Sequence, residues 1–316
     1  MPAGSHAALI FPGQGSQLVG MGEDIAASYP VARETFAQAD DLLSFSLSKL
    51  CFHGPEDQLN NTFNTQPALY VTSIATYSAL RSIKPDLVPQ CAAGHSLGEL
   101  TALTAAGVLS FEQGLYLVRE RGRLMAEAGE SRPGAMAALL GLDAAVVRSI
   151  CEQASVETGA VVVLANDNCP GQIVISGEVF AIERALELAK EAGARRAVKL
   201  TVSIASHSPL MAPAAQKFAD LLAEIPFQPP EFPIYGNVTA APLEGAEAVR
   251  HELAVQLTSS VRWTETIRAM IAAGARHFIE IGPKDVLTGL LKRIDTSVTG
   301  VSANSVDTLR SAVNTL

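Results

Sequence analysis

A chain of 316 residues, 48% hydrophobic and 17% charged, has enough apolar material for a large core and for more than one folded unit. Its formal net charge of -9 excludes a surface built for nucleic acid, since a polyanion is bound by clustered Lys and Arg that neutralise its phosphates. The start MPAGSHAALIFPGQG lacks the charged lead and long apolar stretch of a secretory signal, and no later run is apolar enough to cross a bilayer, so a cytoplasmic protein without a membrane partner is expected.

In chain order, AALIF closed by Pro12-Gly13 predicts a buried strand entering a glycine-rich turn. Helical stretches are expected from there through Leu59. VTSIATYSALRSI has helical spacing, and Pro85 ends it ahead of VPQCAAGHS, a second buried strand. LGELTALTAAGVL then predicts another helix.

From about Pro133 the units become smaller. GAMAALLGL, AVVVLAND, GQIVISG and RRAVKLTV read as strands, and DAAVVRSICEQA and EVFAIERALELAKEAG as helices. The order is βαββαβ, the ferredoxin-like arrangement, and suggests a small domain inserted in a larger one. Beyond Ser208-Pro209 come a helix, the proline-rich IPFQPPEFP, a strand PIYGNV, a helix through VRWTETIRAMIAAG and a strand HFIEIG. Strands alternating with helices on both sides of the insert imply a mainly parallel sheet covered on both faces. Cys51, Cys91, Cys151 and Cys169 are dispersed, with no CxxC and no histidine at ligand spacing, so neither a metal site nor a disulfide framework is expected.

Gly94-His95-Ser96-Leu97-Gly98 fits G-x-S-x-G, in which a serine stands on a sharp strand-to-helix turn and the glycines remove side chains that would collide. A helix N-cap serine would look the same over five residues, but the flanking strand and helix supply the setting the motif requires. A serine hydroxyl needs a base to take its proton. Of six histidines, His6 lies near the terminus, His53 in a polar loop, and His251 and His277 have ordinary surface or core explanations. His95 adjoins Ser96, and successive residues at an elbow diverge, which makes it a pocket-wall residue rather than the base. His207, in VSIASHSPLM, sits where the chain leaves the small domain, a favoured place for a pocket; its alternative is a satisfied structural histidine. No carboxylate between serine and histidine and no HGGG segment stands out, whereas FPGQGSQ offers backbone N–H groups to an oxyanion. VRERGR by itself is a basic helical stretch, in which Arg119 and Arg123 read as solvated.

Taken together, FPGQGSQ, TQPALY, GHSLGE, VRERGRLM, ANDNCPGQIVISG, VSIASHSPLM, GNVTA, QLTSSVRW and FIEIGP resemble the malonyl-CoA:acyl-carrier-protein transacylases, in family order from Phe11 to Pro283. The resemblance implies a malonyl-serine intermediate on Ser96, with His207 as general base and malonyl passed to the phosphopantetheine thiol of acyl carrier protein in fatty acid biosynthesis. It implies backbone N–H groups of Gln14 and Leu97 as oxyanion donors and the carbonyl of Gln256 as the group that orients the histidine. Arg121 matches the arginine gripping the free carboxylate of malonyl, and Asn166 and His95 match pocket-lining positions. Ser206 stands where many relatives carry Phe, which leaves methylmalonyl open beside malonyl at that wall.

No permanently bound cofactor or metal is implied; malonyl-CoA is substrate, CoA product, and acyl carrier protein a transient partner of a monomer. Arg195, Arg196, Lys199 and Lys284 are candidates for the carrier-facing surface. A malonate decarboxylase subunit, a polyketide pathway and a serine thioesterase or hydrolase are the alternatives. The expected fold class is α/β: an α/β-hydrolase-like catalytic domain, discontinuous over residues 1–130 and 200–316, with a ferredoxin-like domain inserted at 131–199.

Overall fold

The computed structural model describes residues 7–202 and 204–316; His6 and Ser203 of the VSIASHSPLM motif lie outside them. The chain enters through β1 (Ala7–Phe11) and reaches β2 (Cys91–Gly94) after a run of helices that ends with the long Thr62–Ile83 helix. The Phe111–Ser131 helix leads into β3 (Ala135–Leu140), β4 (Val162–Cys169), β5 (Gln172–Gly177) and β6 (Arg196–Lys199), and the chain returns through β7 (Ile234–Tyr235), β8 (His277–Ile281) and β9 (Thr299–Ala303).

Five of these strands form one sheet in the order β7-β2-β1-β8-β9, with every neighbouring pair parallel. β1 is buried along its whole length, as a strand must be when helices cover both faces. Its side chains alternate between two cores: Ala7, Leu9 and Phe11 join one, Ala8 and Ile10 the other, the period-two geometry of a strand. The Thr62–Ile83 helix is buried nearly all round, which explains its apolar composition on every face. The amphipathic Phe111–Ser131 helix is started by a capping box between Ser110 and Gln113, each satisfying a backbone N–H that the helix leaves unpaired.

The other four strands form an antiparallel sheet in the order β4-β5-β3-β6. One face packs on the helices Ala144–Thr158 and Val179–Glu191. The other carries Met136, Ala165 and Val174, with Leu200 against them, and Met136, Val174 and Leu200 line a cavity shared with the large unit. The two units are stitched where Val261 bridges Asn166 and Asp167 N–H donates to the Val261 carbonyl at 2.9 Å.

Several elements differ from expectation. The PIYGNV strand shrinks to Ile234–Tyr235, because Gly236 N–H donates to the Ala241 carbonyl at 3.0 Å and the Asn237 side chain meets the Ser96 elbow. RRAVKLTV is a strand only over Arg196–Lys199. His53, expected in a loop, ends the Leu47–His53 helix and is exposed. All four cysteines are buried and unpaired. Among the described residues no helix is long and apolar enough to cross a membrane.

Candidate active site

β2 ends in a turn so tight that a Cβ on Gly94 would lie 1.8 Å from the carbonyl oxygen of Gly98, and one on Gly98 would lie 2.2 Å from the carbonyl oxygen of Phe11. Only glycine fits at either position, which is the physical content of the G-x-S-x-G spacing. Between them Ser96 adopts φ 53°, a left-handed conformation that a serine holds only when its surroundings enforce it.

Asn237 does the enforcing. Its Oδ1 accepts from Ser96 N–H at 2.6 Å and its Nδ2 donates to the Gly94 carbonyl at 2.7 Å, so one fully buried side chain spans the elbow. Asn237→Ala orphans a donor and an acceptor in the interior, each worth about 1–3 kcal/mol. A stability loss of about 2–4 kcal/mol in urea unfolding is the expected outcome, and a loss under about 0.5 kcal/mol would contradict the brace.

His207 also sits at positive φ, 58°, in the turn before the Pro209–Met211 helical turn. Its Nε2 lies 2.8 Å from Ser96 Oγ. Its Nδ1 faces the carbonyl oxygens of Gln256 at 2.9 Å and Ser259 at 3.2 Å. Carbonyls only accept, so the proton resides on Nδ1 and the Nε2 lone pair is left to receive the serine hydroxyl. Burial first, and the Arg121 guanidinium second, push the imidazole down to about 3. The ring is neutral at neutral pH.

Arg121 is buried within the Phe111–Ser131 helix. Its Nη2 donates to Ser96 Oγ and to Gln256 Oε1, both at 2.9 Å, and its Nη1 donates to Gln66 Oε1 at 3.0 Å. Burial lowers its affinity for the proton to about 10, so it remains a cation. Among the described residues it forms no salt bridge. A buried cation held only by neutral acceptors is short of an anion.

The remaining expected residues gather around these three in a cavity of about 560 Å³ lined by Gln14, His95, Leu97 and Asn166, and roofed by Met136, Val174 and Leu200. Among the described residues neither Gln14 N–H nor Leu97 N–H has a hydrogen-bond partner. His95 turns its Nε2 to Asn168 Oδ1 at 2.8 Å and packs its ring edge-on against Trp263, and burial lowers its basicity. Among the described residues, Asn166 Oδ1 is buried without a hydrogen-bond partner.

The structure adds four polar residues to which the sequence assigned no role: Gln66, Glu99, Asn168 and Asn237. Each stands inside a quoted motif, and a polar residue within an apolar run, such as Gln66 before PALY, was the available signal. Arg119 is not solvated as expected. It stacks over the rings of Phe63 and Phe45, with guanidinium to centroid distances of 4.7 and 5.3 Å, whereas Arg123 does lie at the surface, paired with Glu120 and Glu127. Of the surface cations, Arg195 and Arg196 are exposed, Lys199 lies 3.5 Å from Glu183, and Lys284 donates to the Gly15 carbonyl at 3.0 Å.

Comparison with known proteins agrees over the whole chain. The family model for the acyl transferase domain matches residues 8–312. The chain is 44% identical over 312 residues to the malonyl CoA-acyl carrier protein transacylase of Bacillus subtilis, covering 99% of this chain and 98% of that one. It is 47% identical over 300 residues to that of Haemophilus influenzae, covering 95% of each. Among solved structures, a malonyl-transacylase in complex with a type II PKS acyl-carrier protein superposes with a TM-score of 0.94 at 44% identity, covering 99% of this chain and 100% of that one. An acyl carrier protein S-malonyltransferase from Vibrio cholerae superposes with a TM-score of 0.93 at 45% identity, covering 97% and 99%. The chain therefore belongs to the acyl transferase family, among the malonyl CoA-acyl carrier protein transacylases.

Proposed function

We propose that this protein transfers malonyl from malonyl-CoA to the phosphopantetheine thiol of acyl carrier protein by double displacement, in fatty acid synthesis. The observation that carries the reading is the buried guanidinium of Arg121, free of any ion pair among the described residues and 2.9 Å from the Ser96 hydroxyl oxygen. An acyl group carrying a second carboxylate completes that site, and its planar fork suits a carboxylate.

In this mechanism His207 Nε2 takes the Ser96 proton as Oγ attacks the thioester carbon, and the oxyanion is received by the N–H groups of Gln14 and Leu97. Such donors are each worth roughly 3–4 kcal/mol in the transition state. The Gln256 and Ser259 carbonyls stabilise the imidazolium through Nδ1, in place of a third carboxylate. The proton then passes from Nε2 to the departing CoA sulfur, leaving malonyl-Ser96. In the second half the carrier thiol gives its proton to His207, attacks the ester and restores the serine. Malonyl's far carboxylate competes with Ser96 Oγ for the Arg121 fork. Engaging it frees a lone pair on the nucleophile and offsets the positive charge that weakens the base.

With the imidazole of the free enzyme held down to about 3, kcat/KM for malonyl loading is expected to stay flat from about pH 7.5 to 5.5, because the base remains unprotonated throughout. A pH–rate profile bending at the ordinary imidazole value of about 6.5 would contradict this.

The test of the overall reading follows the fate of the malonyl group with and without carrier protein. Malonyl-carrier formation with little free malonate is the expected result, while rapid malonate release unaffected by carrier identifies a serine hydrolase. Which carrier accepts the group separates fatty acid synthesis from polyketide and malonate-decarboxylase roles.

We also divide the chain into a catalytic domain, residues 1–130 and 200–316, and an inserted domain, 131–199. The parallel sheet with its serine elbow supports an α/β-hydrolase-like description of the first. The β4-β5-β3-β6 order with two helices on one face supports a ferredoxin-like description of the second. A cytoplasmic location and Arg195, Arg196, Lys199 and Lys284 as carrier-facing cations belong to the same proposal.

A further inference from the structure

A buried carboxyl stands behind the reacting groups and takes no part in the steps above. Glu99 lies in the first turn of the Gly98–Ala105 helix and is fully buried. Its Oε2 accepts from Gln256 Nε2 at 2.7 Å and from Asn237 N–H at 3.3 Å. Its Oε1 has no hydrogen-bond partner among the described residues. An unpartnered oxygen in the interior is costly, and an apolar side chain would fill the space without that penalty. The carboxyl therefore needs a reason to be there.

Its two partners supply one. Asn237 braces the serine elbow. Gln256 touches Ser96, His207 and Arg121 together. Its main-chain carbonyl holds His207 Nδ1, its Oε1 accepts from Arg121 at 2.9 Å, and its Nε2 donates to the Ser96 carbonyl at 3.1 Å. The second proton of that NH2 goes to Glu99. An amide turned over would set its NH2 against the guanidinium and its oxygen against the Ser96 carbonyl and Glu99 Oε2, leaving both acceptors without their donor.

We propose that Glu99 is a positioning residue for malonyl selection, fixing the Gln256 amide so that Arg121 is presented to the acyl group's carboxylate. The inference rests on the assignment of Arg121 as the carboxylate clamp. Glu99 touches neither substrate nor nucleophile; it acts through Gln256. Burial, and then the neighbouring Glu252, push its carboxyl well above the usual range, and a glutamine of the same length keeps an oxygen where the Gln256 amide needs an acceptor.

The test measures malonyl and acetyl loading by intact mass for wild type, Arg121→Ala, Glu99→Gln, Glu99→Met, Gln256→Met and the Glu99→Met/Gln256→Met double variant. The malonyl-to-acetyl ratio is taken on one preparation, so any unfolded fraction cancels. Glu99→Gln keeps an acceptor for Gln256 and should hold the ratio within about threefold of wild type, whereas Glu99→Met should lower it by about tenfold or more. In the Gln256→Met background the same Glu99→Met change should alter the ratio less than about twofold, because the group it works through is gone.

A Glu99→Met enzyme with the wild-type ratio overturns the proposal. So does equal loss for both donors, or an undiminished effect without Gln256. Failure of the clamp assignment looks different: wild type and Arg121→Ala then share one ratio, which overturns both.

Discussion

Ser96→Ala is expected to form no malonyl adduct and to lose transfer activity by on the order of 10⁴-fold or more, the scale on which removal of an acyl-accepting serine is felt. The reason is geometric. The hydroxyl is held 2.8 Å from the Nε2 of a neutral imidazole. His207→Ala leaves the hydroxyl in place without a base and should fall by a similar factor. The double variant should be little worse than the poorer single one, because the two groups act as one unit. Intact mass and transfer rates check this, and a His207→Ala enzyme within tenfold of wild type would remove the imidazole from the chemistry.

Arg121→Ala should reduce malonyl loading by about 10²–10³-fold while acetyl loading stays within about tenfold of wild type. Truncating one partner of a buried, hydrogen-bonded charge pair costs about 2–5 kcal/mol, and only malonyl brings the second charge. Arg121→Lys should recover part of the loss, since an ammonium supplies charge but lacks the fork that reaches Gln66, Gln256 and the substrate together. Competing the two donors against each other is the direct measurement. Equal loss for malonyl and acetyl would show that Arg121 serves the nucleophile alone.

Much of this arrangement was legible before folding because it rests on local rules. Two glycines around Ser96 announce an elbow, since no other residue survives contacts of 1.8 and 2.2 Å. The uninterrupted AALIF run announces a strand buried on both faces. Helical and strand periods alternate cleanly enough in 133–199 to give the order of that unit. β9, TGVSA, escaped because its small, half-buried residues carry no apolar signal, and the Gly245–Gln256 helix because alternating polar residues blur its face.

The site was legible only as far as residue chemistry reaches. Ser96 and His207 are 111 positions apart, and Gln256 meets Ser96 across 160, distances no local pattern encodes. Family resemblance supplied Arg121, Gln14, Leu97 and Gln256. Glu99, Asn237 and Gln66 are ordinary polar residues in the sequence; folding gives them meaning by burying them against one another. Arg119 errs in the other direction, since a basic helical stretch does not reveal that two phenylalanine rings wait for one of its arginines.

The most direct measurement is a crystal structure of the enzyme trapped after brief exposure to malonyl-CoA. The expected result is an ester on Ser96 Oγ, its carbonyl oxygen directed at the N–H groups of Gln14 and Leu97, and the Arg121 guanidinium turned to the terminal carboxylate. Malonyl attached to another side chain, or an ester on Ser96 whose carboxylate points away from Arg121, would contradict it.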